Sequence, residues 1–85
     1  MAHVYVLRSR KDGNRYIGST NNLERRLREH DDGLVFSTKN RRPLELIYLQ
    51  ECISLVEARI WEAKYKKSRG TFDRMVRLSK LRGVV

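Results

Sequence analysis

Arg26 and Glu62 are the two side chains best suited, by type and position, to chemistry on a phosphate. Leu23, Leu27 and His30 recur at i, i+4 and i+7, and Arg26 falls at i+3 on the same helical stripe. Arg25 and Arg28 already charge the other faces of that helix. The guanidinium of Arg26 therefore faces the domain body. Either its stem snorkels along the apolar stripe with its head in solvent, or it forms a fixed fork for a phosphate. Glu62 stands mid-helix beside Trp61, among Lys64, Lys66 and Lys67. An i,i+4 pair with Lys66, worth ~0.3–0.5 kcal/mol, explains it. A lone carboxylate on a basic surface also suits a hydrated Mg²⁺, which takes one or two carboxylates plus water and substrate oxygens. Tyr5 and Tyr16 fit ordinary strand aromatics, and His30 fits a hydrogen-bonded residue at a helix end. Gly18 marks a bulge or close approach at a strand end.

Positioning these side chains is the task of a short run of elements. His3 to Leu7 is β-branched and aromatic with no helical period, which predicts a strand. Asp12-Gly13 is a hairpin signal, and Arg15 to Gly18 forms the returning strand. With Asp12 and Gly13 as the two loop residues, Lys11 faces Asn14, and Tyr5 and Tyr16 share a face of the sheet. A helix starts near Asn21, with Asn21 and Glu24 as a capping box, and stops at Gly33. A basic loop, Ser37 to Arg42, leads through Pro43 into a third strand over Leu44 to Leu49. The second helix begins at Ser54, with Glu57 completing another capping box, and ends at Gly70. Its inner stripe is Ala58, Trp61 and Tyr65. A last amphipathic helix is predicted from about Phe72 to Leu81. The order ββαβαα predicts an α/β (α+β) domain, a small three-stranded antiparallel sheet flanked by three helices.

The chain has 85 residues, enough for one small domain over 1–85. Nineteen Lys and Arg oppose ten Asp and Glu, a net charge of +9. The excess is spread over both halves, so it belongs to the folded body, and it points to a polyanion, nucleic acid above all. The densest stretch runs from Arg59 to Arg82, where only Glu62 and Asp73 oppose nine basic residues. Cys52 is the only cysteine, which excludes an intrachain disulfide and a Cys-based zinc cluster. No apolar run reaches the ~18 residues of a membrane span, and the N-terminus lacks the apolar stretch of a signal peptide. The expectation is a cytoplasmic protein that binds nucleic acid and not membrane, as a monomer or weak homodimer.

The joint spacing is more specific than its parts. Val4-Tyr5, then Tyr16-Ile17-Gly18, then Asn22 to Arg26 and His30, resembles the GIY-YIG nuclease superfamily. The first tyrosine precedes the second by eleven residues; the arginine and histidine follow the glycine by eight and twelve. Glu57-Ala58, then Glu62 with Lys66, resembles the segment around the family's metal-binding glutamate. The resemblance spans about residues 3–80 and looks closest to the small bacterial members. Homing endonucleases, the nuclease half of the excision-repair incision subunit and some restriction enzymes are more distant. His3 occupies the place of the motif's first glycine, no Asn lies beyond Asn40, and the family's separate DNA-recognition domains are absent.

The resemblance implies a DNA endonuclease that uses Mg²⁺ or Mn²⁺, structure- or single-strand-selective, in DNA repair or recombination. RNA is the less favoured substrate, and the alternative is a non-catalytic nucleic-acid-binding module or an accessory subunit of a repair complex. Tyr5 and Tyr16 match the family's two tyrosines, one of which acts as general base or orients the attacking water. Arg26 matches the arginine on the scissile phosphate, Glu62 the metal ligand, and His30 a residue that hydrogen-bonds within the site. A tyrosine is a poor base at its usual pKa of ~10, and neighbouring Arg26 and a metal are expected to lower it. Flanking phosphates fall to Arg25, Lys39, Arg41, Arg42, Lys64, Lys66, Lys67 and Arg69.

Overall fold

The computed structural model describes residues 1–67. The helix expected over 72–81, and Arg69 and Gly70 before it, lie outside the described residues. Strands β1 (Ala2–Ser9), β2 (Arg15–Thr20) and β3 (Leu44–Cys52) pair antiparallel in the order β2-β1-β3. Among the described residues, the helices are α1 (Leu23–Asp31) and α2 (Leu55–Lys67), with a 3₁₀ turn at Lys39–Arg41. Among the described residues, no helix is long and apolar enough to cross a membrane.

Because β1 is central, both of its faces are covered, which is why its sequence reads as a continuous apolar run rather than an alternation. Val4 and Val6 join Tyr48 and Cys52 of β3 and Ala58 and Tyr65 of α2 in the apolar core. Tyr5 and Leu7, equally buried, point to the opposite face. Pairing with β3 shifts between Val6–Tyr48 and Leu7–Leu46, so Ile47 is an extra residue that bulges β3.

The hairpin differs from the expected two-residue loop. Arg8 pairs with Arg15, and the turn holds the four residues Arg10 to Gly13. The side chain of Ser9 is the physical reason. Buried at the strand end, its Oγ accepts from the N–H groups of Lys11 and Asp12 (3.1 and 3.2 Å) and donates to the carbonyl of Arg41 (2.6 Å). Gly13, at φ +75°, closes the turn by donating to the Ser9 carbonyl. The pairing thus slips by two residues, which preserves the facing, and Tyr5 and Tyr16 remain on one side.

Helix α1 is capped one residue later than expected. Asn22 Oδ1 accepts from Arg25 N–H at 3.1 Å, while the Asn22 N–H is tied to Thr20 Oγ1 at 3.0 Å. At the other end Gly33 (φ +76°) sits in a Schellman arrangement, with Gly33 N–H on the His30 carbonyl and Leu34 N–H on the Glu29 carbonyl. The Ser54 cap is as expected, its Oγ accepting from Glu57 N–H at 3.1 Å.

Candidate active site

The register of β1 and β2 builds the first half of the site. Tyr5 pairs with Gly18 and Leu7 with Tyr16, so the two tyrosines lie diagonally on one face, ring centroids 6.3 Å apart. A Cβ at position 18 would stand 2.5 Å from Cζ and the hydroxyl of Tyr5. Gly18 is therefore a steric opening for the Tyr5 ring rather than a bulge. His30, in the last turn of α1, packs edge-on against both tyrosines, at 5.5 and 5.1 Å.

These rings are wired by hydrogen bonds. His30 Nε2 lies 2.9 Å from the Tyr5 hydroxyl, and His30 Nδ1 lies 2.8 Å from Thr38 Oγ1. Arg26 is braced by Glu29 Oε1 at 3.2 Å and lies near enough to the tyrosines for its charge to act on Tyr5. A cation is faced by the oxygen of a hydroxyl and not by its proton, so the Tyr5 O–H turns to His30 Nε2. His30 then carries its proton on Nδ1 and donates to Thr38. Burial, aided by the positive charge of Arg26, pushes the pKa of His30 down to about 4, so the ring is neutral at pH 7. Burial also pushes Tyr5 up to about 12. Arg26 pulls the Tyr5 pKa down as expected, but burial outweighs it. The Tyr5 hydroxyl stays protonated and acts as a donor. The nearness of Tyr5 in turn raises the pKa of Arg26 further.

The second half comes from the other side of the sheet. Ser19 faces α2, and its Oγ donates to Glu62 Oε1 at 2.6 Å. Lys66 Nζ holds the other oxygen of Glu62, also at 2.6 Å. Glu62 is near enough for its charge to raise the pKa of Tyr5. The edge strand β2 therefore carries both halves, Tyr16 and Gly18 toward α1 and Ser19 toward α2. A groove of about 650 Å³ runs along the β2 edge from the hairpin, lined by Gly13 to Ile17 and by Tyr65 and Lys66 of α2, with Arg26 and Glu62 outside its lining.

Among the described residues, no three His, Cys, Asp or Glu side chains gather as a metal cluster. Among them Glu62 is the carboxylate that would hold a divalent ion. A half-buried carboxylate held by a hydroxyl and a lysine whose side chain is 56% exposed fits a mostly hydrated Mg²⁺.

The expected phosphate contacts divide in two. Arg25, Lys39, Lys64, Lys66 and Lys67 are exposed. Lys66 is paired with Glu62, and Lys64 sits 4.8 Å from the centroid of the Trp61 ring. Arg41 is bound to Asp12 at 3.1 Å, and Arg42 folds back onto the carbonyls of Asp31 and Lys39. These two arginines brace the loop. Sequence reasoning missed Thr38 and Ser19. Thr38 lies in a loop where no periodicity assigns a facing. Ser19 was within reach, because strand alternation opposes it to Gly18.

A three-stranded antiparallel sheet that brings two tyrosines, an arginine, a histidine and a glutamate to one edge strand defines a GIY-YIG domain. The model of the GIY-YIG catalytic domain matches residues 1–75, and the chain belongs to this family, within the GIY-YIG nuclease superfamily. Its relatives are small bacterial UPF0213 proteins. That of Bacillus licheniformis is 38% identical over 98% of this chain and 88% of its own length. One from Streptococcus pneumoniae is 42% identical, over 80% of this chain and 69% of that protein. The solution NMR structure of a UPF0213 protein from Bacillus halodurans superposes with a TM-score of 0.58. It is 33% identical and covers 92% of this chain and 85% of that one.

Proposed function

We propose that this protein is a divalent-metal-dependent DNA endonuclease, selective for single-stranded or branched substrates. The placement of Arg26 beside Tyr16 and of Glu62 beside Ser19, on the two sides of the one strand β2, carries this reading. Phosphodiester hydrolysis needs an oriented water, stabilisation of charge on phosphorus, and help for the leaving oxygen. Tyr5 is buried and protonated, so it serves as a strut for Arg26 and His30. Tyr16 is only half-buried and lines the groove, so it is the tyrosine placed to orient the attacking water. Arg26, braced by Glu29, neutralises charge on the non-bridging oxygens through its remaining donors. Bound on Glu62, Mg²⁺ or Mn²⁺ would supply Lewis acidity toward the phosphate and the leaving oxygen. Exposed Arg25, Lys64 and Lys67 add sequence-independent phosphate attraction.

The test is nicking of supercoiled plasmid and of single-stranded and branched oligonucleotides, with Mg²⁺, Mn²⁺ or EDTA. The parent is expected to cut only with metal, and Arg26→Ala to lose ~10²–10³ in rate. Glu62→Gln should lose the metal response. Equal cutting by the parent and both variants would remove the assignment. Salt-sensitive binding without cutting on any substrate would leave a binding module.

A further inference from the structure

Phe36 is 83% exposed and Leu34 is 72% exposed, while Val35 between them and Thr38 beyond them are buried. The backbone that presents Phe36 is pinned. The N–H groups of Thr38 and Lys39 both donate to the Val35 carbonyl, at 3.1 and 2.9 Å. The Thr38 hydroxyl is bonded to His30, which is bonded to Tyr5. The ring is thus held in solvent by a turn anchored to the Arg26 half of the site. It adds nothing to the core, and Leu34 two residues before it is exposed as well. Lys39 Nζ stands over one face of the ring, 5.0 Å from its centroid, and at 83% exposure the opposite face is left to solvent. An aromatic ring with a cation on one face and the other face open, on a chain of net charge +9, is complementary to a base and its adjoining phosphate. Bases within a duplex are already stacked on one another and offer no free face.

We propose that Phe36, with Lys39 beside it, is a stacking platform for an unpaired base of single-stranded nucleic acid, seated near the phosphate that Arg26 contacts. The inference rests on the nuclease reading for what occupies the site, and it supplies a physical source for single-strand selectivity. Arg41, bound to Asp12 of the hairpin turn, and Arg42, bound to the Asp31 carbonyl at the end of α1, hold the platform rather than the ligand.

Binding in EDTA, where nothing is cut, tests it apart from catalysis. The probes are a short fluorescein-labelled single-stranded oligodeoxynucleotide, the same strand with abasic sites, and the corresponding duplex. Phe36→Ala is expected to weaken binding of the intact single strand by roughly 5- to 150-fold, the range that loss of one stacked base gives. The abasic strand and the duplex should bind the parent and Phe36→Ala alike. Phe36→Trp should keep the parent's affinity and show indole quenching, beyond that of Trp61, with the intact strand only. The platform is overturned if Phe36→Ala binds the intact strand as the parent does, or loses equal affinity for intact and abasic strands. A parent that shows the base-dependent pattern but never cuts would retain the platform and lose the nuclease reading. One that cuts normally without the pattern would do the reverse.

Discussion

The two faces of the sheet are built on opposite plans. Toward α1, three buried polar side chains hold one another. Tyr5, His30 and Thr38 are each almost fully buried, and bonds of 2.9 and 2.8 Å join them in a chain. Toward α2, the interior is apolar and closes on Tyr48 and Tyr65, while Glu62 lies half-buried with an exposed lysine on one oxygen. The first arrangement is rigid and sensitive to every partner. The second has one adjustable charge pair. Preorganised donors stabilise developing charge without rearranging, which suits the Arg26 side. A carboxylate that exchanges a flexible lysine for a hydrated cation suits the Glu62 side.

The largest predicted effect separates the faces by acid. His30 has its folded pKa pushed down to about 4 from 6.5, by burial first and by Arg26 second, against the opposing pull of Asp31 and Glu29. The unfolded chain therefore binds more protons than the folded one between those values. Stability from the neutral ring is complete above about pH 6.5 and is lost as pH falls toward 4. The loss is ~3 kcal/mol at most. NMR titration of the His30 ring should show no protonation between pH 8 and about pH 5. A midpoint near 6.5 would mean that this face is open to water after all.

Next in size is Gly18→Ala. The added Cβ meets the Tyr5 ring at 2.5 Å, and Tyr5 is enclosed, so the ring has no room to retreat. The expected destabilisation is ~1–3 kcal/mol. In a domain of this size each kcal/mol lowers the thermal midpoint by about 4–8 °C. An unchanged midpoint would show that the Tyr5 face can repack and is not rigid.

Thr38→Val should come close behind. It keeps shape but leaves the Nδ1–H of His30 buried without an acceptor, which costs ~1–3 kcal/mol. Thr38→Ser restores the hydroxyl and should recover most of the loss. The ¹⁵N shifts of His30 distinguish this from a packing effect, since Thr38→Val removes the bond that fixes the tautomer. If Val and Ser behave alike in both stability and ring shifts, Thr38 contributes packing only.

The same contrast explains what the sequence disclosed. Arg26 on the apolar stripe and Glu62 among lysines were conspicuous because they violate local patterning, and the structure sets Arg26 near Tyr16 and Glu62 against Ser19. The central strand was legible because it is apolar on both faces. What escaped was set by side-chain hydrogen bonds across distant segments. Ser9 moved the hairpin turn by bonding to Arg41, 32 residues away. Thr20 moved the α1 cap by holding Asn22. The depressed pKa of His30 and the raised one of Tyr5 come from enclosure, which no spacing rule conveys.

The smallest effect tests the adjustable face. Lys66→Ala removes an i,i+4 ion pair whose lysine is 56% exposed, so stability should change by no more than ~0.5 kcal/mol. Its value lies in the sign of a second readout. Without Lys66, Oε2 of Glu62 loses its resident cation, while Oε1 keeps the Ser19 hydroxyl. A divalent ion then no longer has to displace the ammonium. Mn²⁺ titrated alone should bind more tightly to Lys66→Ala than to the parent, and Glu62→Gln should abolish binding in both. Weaker Mn²⁺ binding in Lys66→Ala would mean that the lysine positions the carboxylate for the ion. The α2 face would then be as preorganised as the α1 face, and the contrast between them would fail.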